Sequence, residues 1–268
     1  MSGGSSGSVA GPWWVVVTGA SQGFGAAICM GLAPLLPRGS KLLGVARSQE
    51  GLTNTAAAVN KINPNATFIS IMMDLETATT LDLEAALKRH LGAGQPTPPG
   101  QALVFHNAGS LGALKYLREM DDSAHASSYF NLNISSVIRL NAAFLRVTSA
   151  LPAKVAVKII HIISLAALEP FKSWGLYCTA KAGREMLFRV LAAENPALRV
   201  LSYSPGALDN DMQVKARTET QDKDIRDIMS SLKAEGKLLP CITSANKLLH
   251  ILDKDQFKSG EHIDYSDA

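Results

Sequence analysis

The sequence predicts an α/β fold: a single doubly wound domain with a parallel sheet of about seven strands and helices on both faces. Three observations carry that prediction. Short apolar runs alternate with helical stretches about six times, and several runs are too uniformly apolar to leave one face in water. Glycines and polar residues stand directly after those runs, beyond the carboxyl ends of the strands, where a doubly wound sheet binds its ligand.

Taken in order, Trp13-Trp14-Val15-Val16-Val17-Thr18 is the first strand and leads straight into Gly19-Ala20-Ser21-Gln22-Gly23-Phe24-Gly25. That is strand, glycine turn, then a helix over 24–36. Glycines let the backbone turn sharply against a ligand, and the N–H groups opening the helix make a seat for a diphosphate. The spacing G-x-x-x-G-x-G differs from the commoner G-x-G-x-x-G, and a P-loop is excluded because no G-K-[ST] follows. The second run, 41–46, ends at Arg47. An acid there would bind a ribose 2′-hydroxyl, whereas an arginine accommodates a 2′-phosphate, so the predicted cofactor is NADP(H) rather than NAD. A methyltransferase, the main rival for a glycine loop after a first strand, would also be expected to carry an acid near this point.

Further strands are predicted over 67–73, 102–106, 158–163 and 199–203, with a short seventh over 262–265. Behind them come Asp74-Leu75, Asn107-Ala108-Gly109, Ser164-Leu165 and Pro205-Gly206. Asp74 suits either an adenine amino group or a helix cap. Helices are predicted over 49–62, 77–91, 123–151, 175–194 and 243–253, and Ala207 to Lys237 is read as a loop. The Pro/Gly-rich stretch Gly92–Gly100 is short enough to join a helix to a strand, so it marks no domain border.

Composition agrees with one domain, 12–268, behind a glycine- and serine-rich tail, 1–11, read as flexible. A net charge of +3 with interspersed signs gives no basic stripe for nucleic acid. Cys29, Cys178 and Cys241 are too few and too scattered for a disulfide framework or a metal site, which fits a reducing, cytoplasmic setting. No basic n-region precedes the first apolar run, and that run is too short to cross a membrane.

The chemistry is concentrated in Ser164 and Tyr177-Cys178-Thr179-Ala180-Lys181. Residues four apart on a helix share a face, so Tyr177 and Lys181 can act on one carbonyl group. A phenol of pKa near 10 is a poor acid at neutral pH, but a neighbouring ammonium favours the phenolate. A surface tyrosine beside a solvated lysine would show the same spacing, so context decides.

Thr18–Gly25, Asn107-Ala108-Gly109, Asn133, Ser164, Tyr177, Lys181 and Pro205-Gly206 follow in an order that resembles the short-chain dehydrogenase/reductases across nearly the whole chain. The resemblance implies a Rossmann-like fold and a hydride transfer in which Tyr177 protonates the carbonyl oxygen. It further implies that Ser164 hydrogen-bonds that oxygen, Lys181 holds the nicotinamide ribose and lowers the tyrosine pKa, and Asn133 supports a water-linked proton path. The implied cofactor-binding set is Gly19, Ala20, Ser21, Gln22, Gly23, Phe24, Gly25, Arg47, Ser48, Asp74, Leu75, Asn107, Ala108, Gly109, Lys181, Leu208, Asp209, Asn210, Asp211, Met212 and Gln213. The implied substrate set is Ser164, Leu165, Tyr177, Gly206 and Asp264; no metal ligand is implied.

Phe171-Lys172-Ser173-Trp174, Ser204–Met212 and Phe257–Asp264 are similar to the branch of that family that reduces side-chain carbonyls of pterins in tetrahydrobiopterin synthesis, with Asp264 as the anchor of the pterin ring. Members are homodimers joined through the helices here at 123–151 and 175–194. Gln22 departs from that branch, which typically carries arginine near the 2′-phosphate. His106 and His161 stand where asparagines are usual, and both are read as structural. Two other readings stay open: a broader carbonyl reductase for diketones, quinones or aldehydes, and a non-catalytic NADP(H)-sensing module.

Overall fold

The computed structural model describes residues 11–92, 98–121, 123–151 and 155–267. Residues 1–10 of the tail and 93–97 of the Gly92–Gly100 connection lie outside them. Seven strands, β1 (Trp13–Thr18), β2 (Lys41–Ala46), β3 (Thr67–Met72), β4 (Gln101–His106), β5 (Ala156–Ile162), β6 (Arg199–Ser204) and β7 (Glu261–Asp264), form one sheet in the order β3-β2-β1-β4-β5-β6-β7. Every neighbouring pair is parallel. β1 and β4 lie in the middle and are buried along almost their whole length, which is why they read as unbroken apolar runs.

One face is covered by α1 (Gly23–Leu32), α2 (Gln49–Ile62) and α9 (Cys241–Lys254), whose Ile28, Leu52 and Leu248 pack on Val15, Val17 and Phe105. The other is covered by α3 (Thr80–Leu91), α5 (Ser136–Ser149) and α6 (Gly175–Glu194), with Leu87, Phe144 and Phe188 against Val16, Val104 and Ile159. Local chemistry sets several boundaries. Ser48 Oγ accepts from Gly51 N at 3.1 Å to open α2, and Thr79 with Asp82 makes a reciprocal capping box that opens α3.

Two predicted elements differ. The helix expected over 123–151 is α4 (Ser123–Phe130) and α5, joined by a turn of π-helix, Asn131–Ser135. The stretch Ala207 to Lys237, read as a loop, holds α7 (Asp211–Glu219) and α8 (Lys223–Ala234). α7 is short and polar, with no apolar stripe to betray it, but α8 carries Ile225, Ile228, Met229 and Leu232 at helical spacing, and the caps of both are visible in the sequence. Asn210 accepts from Gln213 N, and Asp222 from Ile225 N, both at 3.1 Å.

Candidate active site

The ends of β1, β2, β4, β5 and β6 open on a cleft of about 640 Å³, within the size range of small-molecule sites. Thr18 ties its floor together. Its Oγ1 donates to Phe105 O and accepts from the backbone N–H groups of Asn107 and Ala108, while Asn107 Nδ2 donates to Thr18 O at 2.9 Å. Gly19, at φ +68°, turns the chain from β1 into the loop, and α1 presses against that turn so closely that a Cβ on Gly25 would lie 2.1 Å from Gly19 O. Along this loop the cleft is lined by Gly19, Ser21, Gln22, Gly23 and Phe24.

The walls hold most of the predicted cofactor set: Gly19, Ser21, Gln22, Gly23, Phe24, Arg47, Ser48, Asp74, Leu75, Asn107, Ala108, Gly109, Lys181, Leu208, Asp209, Asn210, Asp211 and Met212. Arg47 is exposed at the end of β2, free to reach a solvent-side anion. Asp74 lines the cleft, and its Oδ1 accepts from Glu76 N at 3.0 Å in a turn ahead of α3; the cap of that helix is Thr79, not Asp74. Gln22 bridges the cleft mouth, with Nε2 donating to Asp211 Oδ2 at 3.2 Å. Three residues of the set are not brought to the cleft wall. Ala20 is fully buried beneath the loop, Gly25 sits behind it, and Gln213 turns away to donate to Met229 O of α8.

At the inner end Tyr177 is almost wholly buried, with its ring edge-on to Trp174. Lys181 Nζ donates to Ile162 O at 2.8 Å and lies 5.5 Å from the Tyr177 ring centroid. Burial pushes the phenol above the ordinary tyrosine value; a hydrogen bond with Ser164 and the charge of Arg184 pull it part of the way back. Lys181 itself is pushed well down by burial and then by Arg184. Arg184 is thus a further cation that bears on the phenol, beside Lys181, whose Nζ sits over the Tyr177 ring.

Asn133 sits in the π turn between α4 and α5. Its Oδ1 accepts from Ser110 N at 3.0 Å and its Nδ2 donates to Tyr129 O at 2.9 Å. The bulge aims this one side chain at the turn after β4, as such bulges often do at functional sites. Gly109 has to be bare here, because a Cβ would approach Asn133 Oδ1 to 2.9 Å.

The substrate residues are less gathered. Ser164 and half-exposed Leu165 open the loop after β5, and Gly206 follows β6 beside Leu239 and Tyr265. Asp264 ends β7 opposite Ser204, outside the cleft wall, and its Oδ1 accepts from Ser266 N and Oγ. What the loop reading of 207–237 missed is the roof. Ala216 of α7 with Ile225 and Met229 of α8 packs on Leu111, Leu114, Phe171, Trp174 and Tyr177, and Trp174 Nε1 donates to Thr220 Oγ1 at 3.0 Å.

His106 and His161 lie beneath the site in register on β4 and β5, both fully buried. His161 Nε2 accepts from Arg184 Nε at 2.9 Å, and the ring stacks on Phe188. Burial, with the charge of Arg184, pushes His106 down to about 3. The unfolded chain therefore binds more protons than the fold below the ordinary histidine value near 6.5, so stability is full above that pH and is lost as pH falls from 6.5 toward 3. The limit is about 5 kcal/mol from this residue alone. His106→Asn should flatten the fall of Tm between pH 7 and pH 4; parallel curves for the two proteins would move the acid sensitivity elsewhere.

A parallel sheet with a glycine-loop cleft at its carboxyl edge and a buried tyrosine–lysine pair beside it is the architecture of an oxidoreductase. A family model described as short chain dehydrogenase matches residues 13–221, and the chain belongs to that family. Among its relatives is a sepiapterin reductase of Meriones unguiculatus, 43% identical over 257 residues, spanning 94% of this chain and 95% of the relative. A more distant one is a benzil reductase, (S)-benzoin forming, of Bacillus cereus, 29% identical and spanning 93% and 98%. A putative short chain dehydrogenase from Escherichia coli CFT073, solved with NADPH, shares the fold at a TM-score of 0.74 and 24% identity, over 94% of this chain and 95% of that one. Among the described residues there is no cluster suited to a metal ion and no helix long and apolar enough to cross a membrane.

Proposed function

We propose that the protein reduces side-chain carbonyls of pterins with NADPH, as a cytoplasmic enzyme of tetrahydrobiopterin synthesis, with Tyr177 as the general acid. The observation that carries this is the convergence on one cleft of a bare glycine cradle, an exposed Arg47 and the buried Tyr177. The glycine cradle and Arg47 fit a dinucleotide that bears a 2′-phosphate. When bound, that cofactor supplies hydride to the carbonyl carbon.

The chain's own groups do the rest. Gly19 to Gly25 hold the diphosphate against the opening of α1, and Arg47 with Ser48 takes the 2′-phosphate. Ser164 and Tyr177 hold the carbonyl oxygen, and the Tyr177 O–H gives its proton to that oxygen as it becomes an alcohol. A phenol raised by burial stays protonated across neutral pH, which suits reduction and leaves the reverse oxidation to alkaline pH. The α7–α8 roof and Trp174 keep water from the reacting atoms. Similarity to sepiapterin reductases over nearly the full length supports the pterin class, and in this reading Asp264 reaches the ring donors from the end of β7.

The benzil reductase relative favours a second reading, an aromatic diketone as substrate, for which the aromatic pair Phe171 and Trp174 is suited. Ile138 on α5, with Met186 and Val190 one turn apart on α6, leaves apolar side chains exposed, and these support homodimer formation through the two helices. The test is cofactor oxidation by the purified protein with sepiapterin, diacetyl, benzil and a quinone, with NADPH and with NADH. Fast turnover of sepiapterin with NADPH, and slower with NADH, is expected. Turnover of benzil or diacetyl without sepiapterin would replace the pterin reading, and tight NADPH binding without any turnover would replace both with the sensor.

A further inference from the structure

β7 is an edge of the sheet: it is four residues long and pairs with β6 alone. Its ladder is closed by Gly260 N donating to Val200 O and Tyr265 N donating to Ser204 O, both at 2.8 Å. A strand that short, with one partner, has few backbone bonds to fix its register. Side chains alternate along it. Ile263 and Tyr265 pack into the core beneath α1 and α9, and Lys247 of α9 donates to Tyr265 O at 2.7 Å. His262 and Asp264 therefore share the other face, the one that α6 covers.

On that face His262 Nδ1 stands 3.6 Å from Glu185 Oε2, just beyond hydrogen-bond length. Both atoms are buried, and among the described residues neither has a hydrogen-bond partner. A buried carboxylate is costly unless it is paired. The cation next to it in sequence is engaged elsewhere, for Arg184 directs its donors to His106 O, Ala108 O and His161 Nε2. A proton on Nδ1, shared toward Oε2, satisfies both atoms at once. The contacts between β7 and α6 advance in steps: a Cβ on Gly260 would meet Ala192 Cβ at 3.0 Å and Arg189 Cα at 3.9 Å, and His262 then meets Glu185. Two strand residues span about 6.6 Å and four helical residues about 6 Å, so the next such step brings Asp264 to the level of Lys181, one turn from Tyr177.

We propose that Glu185 and His262 are positioning residues for the substrate: the pair fixes the register of β7 on α6 and so sets where Asp264 meets the ring of a pterin. This rests on the pterin reading, in which Asp264 is the anchor. A buried polar pair adds little stability over an apolar pair of similar volume, and its best-attested use is to set register. The placement of Asp264 makes register matter. It stands outside the cleft wall, so its reach depends on where β7 ends. A slip by two residues would move the carboxylate about 6.6 Å while leaving every side chain on its own face. Ser266 N and Oγ, both donating to Asp264 Oδ1, orient the carboxylate locally and leave its place along the strand to the pair.

The experiment compares the intact protein with Glu185→Leu, the double variant Glu185→Leu/His262→Leu, Asp264→Asn, and Glu185→Leu combined with Asp264→Asn. KM and kcat are measured with sepiapterin, whose ring offers donors to Asp264, and with diacetyl, which has no ring; Tm and backbone hydrogen exchange are recorded beside them. Expected in Glu185→Leu is a rise of about tenfold in the ratio of the sepiapterin KM to the diacetyl KM, the size of one lost contact to a charged group. The double variant should recover Tm, because no buried polar group is left without its partner, yet keep the raised ratio. On Asp264→Asn, the change Glu185→Leu should raise the ratio no further. A ratio restored along with Tm, or one that climbs again on Asp264→Asn, would overturn the proposal and leave the pair a stability device. Should Glu185→Leu fail to fold, the double variant decides by its ratio alone. If Asp264→Asn keeps the original ratio, the anchor reading has failed instead. Exchange of the β7 amides then decides on the clamp: faster exchange confined to 260–265 in the double variant supports it, and unchanged exchange overturns it.

Discussion

Tyr177→Phe is expected to lower carbonyl reduction by roughly 10²–10⁴-fold, about 3–5 kcal/mol of barrier, while NADPH still binds. The side chain makes this a clean excision. The ring packs on Trp174 and the α7–α8 roof, contacts that phenylalanine keeps, and only the hydroxyl facing Ser164 is lost. Its protonation also sets the pH dependence. Since burial raises the phenol above its ordinary value, reduction should hold steady through neutral pH and fall only as the phenol ionises in alkali, whereas alcohol oxidation should rise over the same interval. Steady-state kcat in both directions, with cofactor affinity by fluorescence titration, measures both points. A mutant that keeps more than a tenth of the rate would remove Tyr177 from the role of acid.

Gly25→Ala should destabilise the fold by about 3 kcal/mol and weaken dinucleotide binding at least tenfold. The added Cβ would meet Gly19 O at 2.1 Å and Asn107 Nδ2 at 2.6 Å. The first is backbone that cannot step aside, and the second belongs to the clamp between β1 and β4. Either the glycine turn or the start of α1 has to move, and both form the diphosphate seat. Overpacking of this kind costs about 1–3 kcal/mol and sometimes more, and in a chain of this length about 3 kcal/mol corresponds to a loss of roughly 6–12 °C in Tm. Gly183→Ala is the control, for its Cβ finds only Ile134 Cδ1 at an ordinary 3.5 Å. Equal Tm and equal NADPH affinity in the two mutants would show that the cradle is not tight.

Sequence and structure agree most closely where one short segment carries its whole reason. The strand candidates fall within two residues of β1 to β7, because a parallel sheet covered on both faces demands continuous apolar runs. The glycine loop, Arg47 and Asn107-Ala108-Gly109 reach one cleft because each follows directly on a strand end. Agreement fails where the deciding contact is distant. Asp211–Glu219 is short and polar and is held by packing Ala216 into the cluster of Trp174 and Tyr177, whereas Lys223–Ala234 has its apolar residues at helical spacing and was legible in the sequence. Gln213 looked like part of a run facing the cofactor, yet its side chain serves α8.

The sequence by itself therefore determined the order of the strands along the chain, the turn chemistry at their ends and the family, since these depend on local pattern and spacing. Only the tertiary structure decided what surrounds the reacting group. Burial dominates the Tyr177 phenol, and a hydrogen bond with Ser164 and then the charge of Arg184, two helical turns away, offset part of it. Desolvation and Coulomb interaction act through space between groups far apart in sequence, and no local pattern of residues carries them.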